Sequence, residues 1–406
     1  MVVRSPERTS SDASNTRSGP ARPALLRTLN DEVALRLLLE RGQLSRSDMV
    51  RLIGVSKPTG SQILARLEAA ELVLPVGVTR GRPGRAALLY EINPAAGFAA
   101  ALDVTPRRIH AQVADITGAV IGEFQLHRPS RASGSGPANA RAALDHALQI
   151  AGLNRSKLSC VVVAATGSYD AEADRIRYAR RLSGWNDVGL MKSLRSDLGV
   201  DVYIENDVNL AAVAEHRVGA AQHISDFFLF WADEGIGGAL MLENRLRRGV
   251  TGGAGEIAFL QPAGAAVVHN PVRGGSGGLE QWAGGNELVE LARAHDVHGA
   301  NPAELVATAV SSDLRSATEF INELALRFAI GLSAVIAVID PGAIVLAGSV
   351  MAAGGERLRA LISRHLEDVA ITSPQLLSSS VAGNAVLAGA LHTSLDHART
   401  SVFQTA

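Results

Sequence analysis

Between residues 56 and 85 the chain gathers side chains able to hydrogen-bond phosphate oxygens and base edges: Ser56, Lys57, Thr59, Ser61, Gln62 and Arg66, then Arg82 and Arg85. Lysine and arginine neutralise phosphates, while hydroxyls and the Gln62 amide can read the donor and acceptor pattern of a major groove. Arg82 and Arg85 sit in Gly81-Arg82-Pro83-Gly84-Arg85, a narrow turn that could carry cations into a minor groove. The charge agrees. Residues 1–93 hold 14 Lys+Arg against 9 Asp+Glu, a balance of +5, whereas residues 94–406 hold 25 against 31, or −6. A basic head on an acidic body points to a polyanion partner for the head alone, and the groove-reading donors make that partner a double-stranded DNA operator.

These side chains need short, well-capped helices to present them. Leu25, Leu29, Val33 and Leu37 recur at helical spacing over residues 23–42, and Gly42 is a stop. Ser45 and Asp48 stand at the N-cap and N3 positions of a capping box, opening a short helix with Val50, Leu52 and Ile53 that ends at Gly54. Ser56 then caps a helix over residues 57–69, with Pro58 tolerated in its first turn and Ile63, Leu64 and Leu67 facing inward. That leaves the hydrogen-bonding set on the outer face. Residues 71–90 read as a hairpin with a basic tip. Two helices about a glycine occur in many unrelated proteins, but this ordered set within one positive module spells a winged helix-turn-helix.

The 406 residues are 47% hydrophobic and 19% charged, which suits an alanine-rich α/β protein and excludes wholesale disorder. No uninterrupted apolar run reaches the roughly 18 residues that span a bilayer. Residues 1–21 read as a disordered arm with no apolar signal core, so the expected location is cytoplasmic. The single cysteine, Cys160, lies in an apolar strand-like run and reads as a buried core residue.

After residue 94, strand-like runs at 98–104, 109–114 and 119–126 suggest a meander, followed by a helix at 139–151 and a buried strand at 158–165. A strand at 202–204, a helix at 208–219, strands at 227–231 and 238–242 and a glycine-rich stretch at 249–285 come next. Helices follow at 287–295, 311–338 and 356–369. Strands and helices alternate in two successive sets, which suggests two lobes with a cleft between them.

Four motifs now carry a resemblance: Glu205-Asn206-Asp207-Val208-Asn209-Leu210-Ala211-Ala212, Gly249-Val250-Thr251-Gly252-Gly253-Ala254-Gly255-Glu256-Ile257, the stretch Gly274 to Glu280, and Asp340-Pro341-Gly342-Ala343-Ile344-Val345-Leu346-Ala347-Gly348. They resemble successive motifs of the ROK family of repressors, open reading frames and sugar kinases, and the head resembles its repressor branch. The resemblance implies an α/β, actin-like, two-lobed body of the sugar kinase/ribonuclease H-like type behind a winged helix-turn-helix. The implied domains are a head at 22–93, one lobe at 94–220, a second at 221–380, and a C-terminal helix at 381–406 returning to the first lobe.

The resemblance also shows what has changed. Kinases of the family carry Asp-x-Gly-Gly-Thr after the first strand, where this chain reads Asp103-Val104-Thr105-Pro106-Arg107. The glycines that let a backbone approach phosphates are gone, and Pro106 removes an N–H. The second phosphate loop reads Asp233-Glu234-Gly235-Ile236-Gly237-Gly238, with two carboxylates where polyphosphate would lie. The four positions matching the family's zinc ligands are Phe259, Pro271, Arg273 and Gly278, so neither zinc nor another cofactor is expected. Retained are the four polar positions that the family uses on sugar hydroxyls: Asn206, Asp207, Glu256 and Glu280. The implied protein is a DNA-binding regulator, expected to repress, with a sugar-like effector and no catalytic residue, working as a homodimer or higher homo-oligomer because paired half-sites multiply affinity. A sugar kinase with a regulatory head and a ligand-independent DNA-binding scaffold are the competing readings.

Overall fold

The computed structural model describes residues 23–78, 87–127, 136–177, 182, 184–262, 265–269 and 277–404. The expected arm 1–21, Arg82 and Arg85 of the hairpin tip, and Pro271 and Arg273 lie outside the described residues. Two compact units form, a head over the residues up to Asn93 with which the end of the chain from Val402 is grouped, and a body over Pro94–Ser401.

The head consists of α1 (Pro23–Arg41), β1 (Leu44–Ser45), α2 (Arg46–Ile53), α3 (Lys57–Ala69), β2 (Val73–Val78) and β3 (Leu88–Ile92). Its antiparallel sheet runs β1-β3-β2. Ser45 Oγ accepts from Asp48 N at 3.2 Å and donates to Asp48 Oδ2 at 2.6 Å, the pairing its spacing predicts. Gly54, at φ 80°, closes α2 in the left-handed conformation that glycine tolerates. Gly60 has no room for a side chain: a Cβ there would stand 2.3 Å from Val50 Cγ2, so α2 and α3 pack closely because it is glycine. Ile63, Leu64 and Leu67 are buried as expected. The apolar stripe predicted for α1 is corrected. Asp31, Ala34, Leu35 and Leu38 are buried, while Leu29 and Val33 are exposed. The rotation that buries Asp31 against Arg66 turns those two side chains outward.

The body repeats one topology. Its first lobe has β4 (Phe98–Val104), β5 (Arg108–Asp115), β6 (Val120–His127), α4 (Gly136–Ala151), β7 (Leu158–Ala165), a hairpin of β8 (Ser168–Asp170) and β9 (Arg175–Arg177), α5 (Leu190–Leu198), β10 (Asp201–Asn206) and α6 (Asp207–Val218). The second has β11 (Phe227–Ala232), β12 (Ile236–Leu242), β13 (Arg245–Arg247), α7 (Glu280–Ala283), α8 (Gly285–Ala294), α9 (Pro302–Val310), α10 (Arg315–Ile339), β14 (Ala343–Ala347), α11 (Ser349–Val369) and β15 (Gln375–Ser378), and the chain closes with α12 (Ala385–Gln404). The sheet orders are β10-β7-β4-β5-β6 and β13-β12-β11-β14-β15. In each, an antiparallel meander is extended by two parallel strands beside its first strand. Parallel strands covered on both faces must be apolar throughout, which is why Val161, Val162, Val163 and Cys160 are all buried on β7.

Two helical expectations shift. The segment predicted at 311–338 is α10, starting at Arg315 and preceded by the separate α9. The segment predicted at 356–369 is the C-terminal piece of α11, broken where Gly355 sits at φ 51°, ψ −144°. By length and composition α10 is apolar enough to cross a membrane; here Phe320, Leu324 and Phe328 are buried in the second lobe's core, Phe328 edge-on to Phe230 at 5.2 Å.

Helix α12 backs onto α6 with no spare space, since a Cβ on Gly389 would lie 1.8 Å from the Leu210 carbonyl oxygen. Asn384 caps α12 by accepting from Leu387 N at 3.1 Å, and its amide donates to Asp103 Oδ2 at 2.7 Å. Gly389→Ala is therefore expected to push the two helices apart and destabilise the protein by about 1–3 kcal/mol, read as a lowered Tm in calorimetry.

Candidate functional site

In the head, Ser56 Oγ accepts from Thr59 N at 3.3 Å and caps α3. Lys57 and Gln62 are exposed on that helix, and Thr59 and Ser61 are half-buried beside them. Ser61 Oγ donates to the Lys57 carbonyl at 3.1 Å and accepts from Arg46 Nη1 at 3.3 Å. The exposed Arg46, on the first residue of α2, thus joins the α3 face, although sequence reading passed over it. Nothing local signals a pairing across 15 residues.

Arg66 is corrected. Its guanidinium donates two hydrogen bonds to the buried Asp31, Nη2 to Oδ1 at 2.6 Å and Nε to Oδ2 at 3.0 Å. A planar fork matched to a carboxylate in this way ties α3 to α1.

The second set lies in the body. Asn206 and Asp207 end β10 and begin α6. Asn206 Oδ1 accepts from Asn209 N at 3.0 Å, capping α6, and Nδ2 donates to the Gly167 carbonyl at 3.2 Å. Asp207 accepts from Thr166 Oγ1 at 2.7 Å and from Val208 N at 2.9 Å. Asn206 and Glu256 line one small pocket together with Val208, Asn209, Ala254, two glycines of β12 (Gly237 and Gly238) and two of the loop before Glu256 (Gly252 and Gly255). Glu280 is elsewhere engaged: its Oε2 accepts from Ile236 N at 2.8 Å and fastens the loop leading into β12.

This is an acidic place. Burial pushes the Asp207 carboxyl above its ordinary range, against the pull of its hydrogen bonds, and the nearby Asp103 charge adds to the rise. Burial likewise raises Asp103, opposed by Asn384 and by Arg108 at 3.6 Å. Glu256 is pushed up to about 7, first by burial and then by the Asp207 charge.

The loops at the phosphate positions of kinases bond to one another. Thr105 N donates to the Arg108 carbonyl at 2.9 Å, and Arg108 N donates to Thr105 Oγ1 at 3.1 Å, closing the β4–β5 turn on itself. Arg107 on that turn pairs with Glu234 of the opposite lobe at 3.6 Å, and Asp233 accepts from Ser349 Oγ. Of the four positions matching zinc ligands, Phe259 ends a 3₁₀ turn and Gly278 lies against Gln261 and the Leu260 carbonyl. Neither has a side chain able to ligate a metal.

Comparison with known proteins agrees with this geometry. The ROK family model matches residues 100–396, and the chain belongs to that family. The xylose repressor of Bacillus subtilis (strain 168) is 22% identical over 92% of this chain and 96% of its own length. A crystal structure of a ROK family transcriptional regulator, a homolog of the E. coli MLC protein, superposes with a TM-score of 0.73, covering 94% of this chain and all of that one at 18% identity, a likeness of fold. The ROK hexokinase from Thermus thermophilus covers 75% of this chain and 99% of its own, with a TM-score of 0.62 and 25% identity. Head and body together therefore have the build of the family's transcriptional regulators.

Two outcomes follow. Arg66→Ala strands the buried Asp31 charge and is expected to lower the head's stability by about 2 kcal/mol, whereas Gln62→Ala leaves thermal unfolding unchanged; paired melting curves check this. The second concerns pH. Because the folded protein holds the Glu256 proton up to about 7 against 4.5 in the unfolded chain, this carboxyl favours folding below 4.5 and loses that contribution as pH rises through about 7. Denaturant titrations should show stability falling over this window, by about 3 kcal/mol from Glu256 alone, with Glu256→Gln flattening the slope.

Proposed function

We propose that the protein is a sequence-specific transcriptional repressor of the ROK type that responds to a sugar-like effector and does not phosphorylate it. Ser56, Lys57, Thr59, Ser61 and Gln62 address a DNA operator from α3, Arg46 supports them, and Arg82 and Arg85 reach the backbone or minor groove from the hairpin tip. Arg66 acts inside the head as a positioning residue. The lobes at 94–220 and 221–380 enclose the effector, with Asn206, Asp207 and Glu256 at its hydroxyls and Glu280 shaping the loop beside them. The protein works in the cytoplasm as a homodimer or higher homo-oligomer, so that paired heads meet paired half-sites and the effector shifts their placement by differential affinity.

The observation that carries the reading is the capped α3 face of exposed donors on a winged head, joined to a ROK body whose phosphate-loop side chains bond to one another. A kinase needs those groups free for ATP.

Selection from a random duplex library with the full-length protein, at about 150 mM salt to suppress nonspecific phosphate binding, should recover a palindromic or repeated site. Gln62→Ala and Ser61→Ala should change base preference at single positions by roughly 1–3 kcal/mol. Failure of folded protein to enrich any motif overturns the proposal. ATP turnover with an aldose panel, abolished by Asp207→Asn, would restore the kinase reading.

A further inference from the structure

We propose that Arg248 is a positioning residue for the effector pocket: its ion pair with Glu205 crosses between the lobes and holds the glycine-rich loop before Glu256 in register with the start of α6. This rests on the reading of the cleft as an effector site. Arg248 directly follows β13 of the second lobe, and its Nε donates to Glu205 Oε2 on β10 of the first. The Arg248 side chain is 54% exposed and that of Glu205 only 12%, so the carboxylate is the fixed partner. Glu205 Oε1 accepts from Asn209 Nδ2 at 2.9 Å and from Asn206 N at 3.0 Å, which fastens it to the first turn of α6. Asn206 and Asn209 line the pocket, whereas neither Arg248 nor Glu205 does.

The opposite wall of the pocket is the loop that Arg248 opens. The Arg248 carbonyl accepts from Ala254 N at 3.0 Å, closing residues 248–254 into a ring, and Gly252, Ala254, Gly255 and Glu256 then face Asn206 and Asn209. Gly249 and Gly252 stand at φ 73° and 78°, left-handed conformations that leave a glycine-rich ring many alternatives. Its other tie to the first lobe is long: Ser168 Oγ donates to the Thr251 carbonyl at 3.4 Å, with Gly252 so close that a Cβ would stand 2.5 Å from that hydroxyl. The charge-assisted bond from Arg248 is the stronger of the two, so it sets where the ring rests. A ligand that must touch both walls binds only those molecules in which they are in register, and its apparent Kd rises as that fraction falls.

Isothermal titration of the full-length protein with D-glucose, D-mannose, D-galactose and D-xylose selects the tightest-binding aldose, which is then titrated into Arg248→Met, Arg248→Lys, Glu205→Gln and the double variant Arg248→Met/Glu205→Gln. Arg248→Met is expected to weaken binding about five- to tenfold while sugar-free thermal unfolding moves by no more than about 3 °C, because a pair with one exposed end adds little to stability. Arg248→Lys keeps a charge for the single bond and should bind within about twofold of the wild type. Glu205→Gln keeps an acceptor for Asn206 and Asn209, loses the charge, and should reproduce the loss; the double variant should bind no more weakly than either single one. Binding by Arg248→Met within about twofold of the wild type overturns the positioning role and leaves the effector site standing. Losses that add in the double variant, or that Arg248→Lys does not restore, overturn it likewise. No binding of any aldose to folded wild-type protein overturns the effector reading and this inference with it.

Discussion

A carboxylate with no exposure to solvent sits where the chain crosses between the two lobes. Glu215, near the end of α6, accepts from Ala220 N at 2.8 Å, from Ser379 Oγ at 2.5 Å and from Ser380 N at 3.2 Å. The first donor lies where the chain leaves for the second lobe, and the other two where it comes back. An unpaired buried charge costs several kcal/mol, so both crossings must hold their geometry for the charge to be tolerated. Gly219 yields the space, since a Cβ there would lie 2.1 Å from Glu215 Oε2. Because α6 also begins at Asn206 and Asp207, one helix carries the lobe crossing at one end and the pocket at the other.

That arrangement explains how a kinase-type body can serve regulation. A ligand shifts an equilibrium only by its differential affinity for two arrangements. A cleft whose floor is the start of α6 and whose walls belong to different lobes would give any ligand held there contacts with both. On the former phosphate side Arg107 pairs with Glu234 across the lobes, and Asp233 bonds to Ser349 within the second lobe. An exposed pair such as Arg107–Glu234 is worth only about 0–1 kcal/mol.

The head was legible in its sequence to the extent that its signals are local. Ser45 with Asp48, and Ser56 with Thr59, lie three residues apart, and a capping pair at that spacing forms whatever the rest of the chain does. The pocket was legible through motifs: Asn206 and Glu256 line it together, Asp207 follows Asn206 at the start of α6, and the loss of glycine after Asp103 coincides with a turn closed on itself. The rotation of α1 was not legible, because leucines are spaced helically on both of its faces and only the Asp31–Arg66 pair, 35 residues apart, decides which face is buried.

Sequence by itself determined the helix caps, the glycine stops, the two-lobed family and the altered phosphate loops, all carried by residue identity over a few neighbouring positions. Tertiary structure alone decided what each polar group is used for. Arg66 turns inward to Asp31, Glu280 fastens the β12 loop, and Asp103 meets Asn384 from 281 residues away. The physical reason is that a side chain's role depends on which partners and how much solvent surround it, and folding brings those partners from anywhere along the chain.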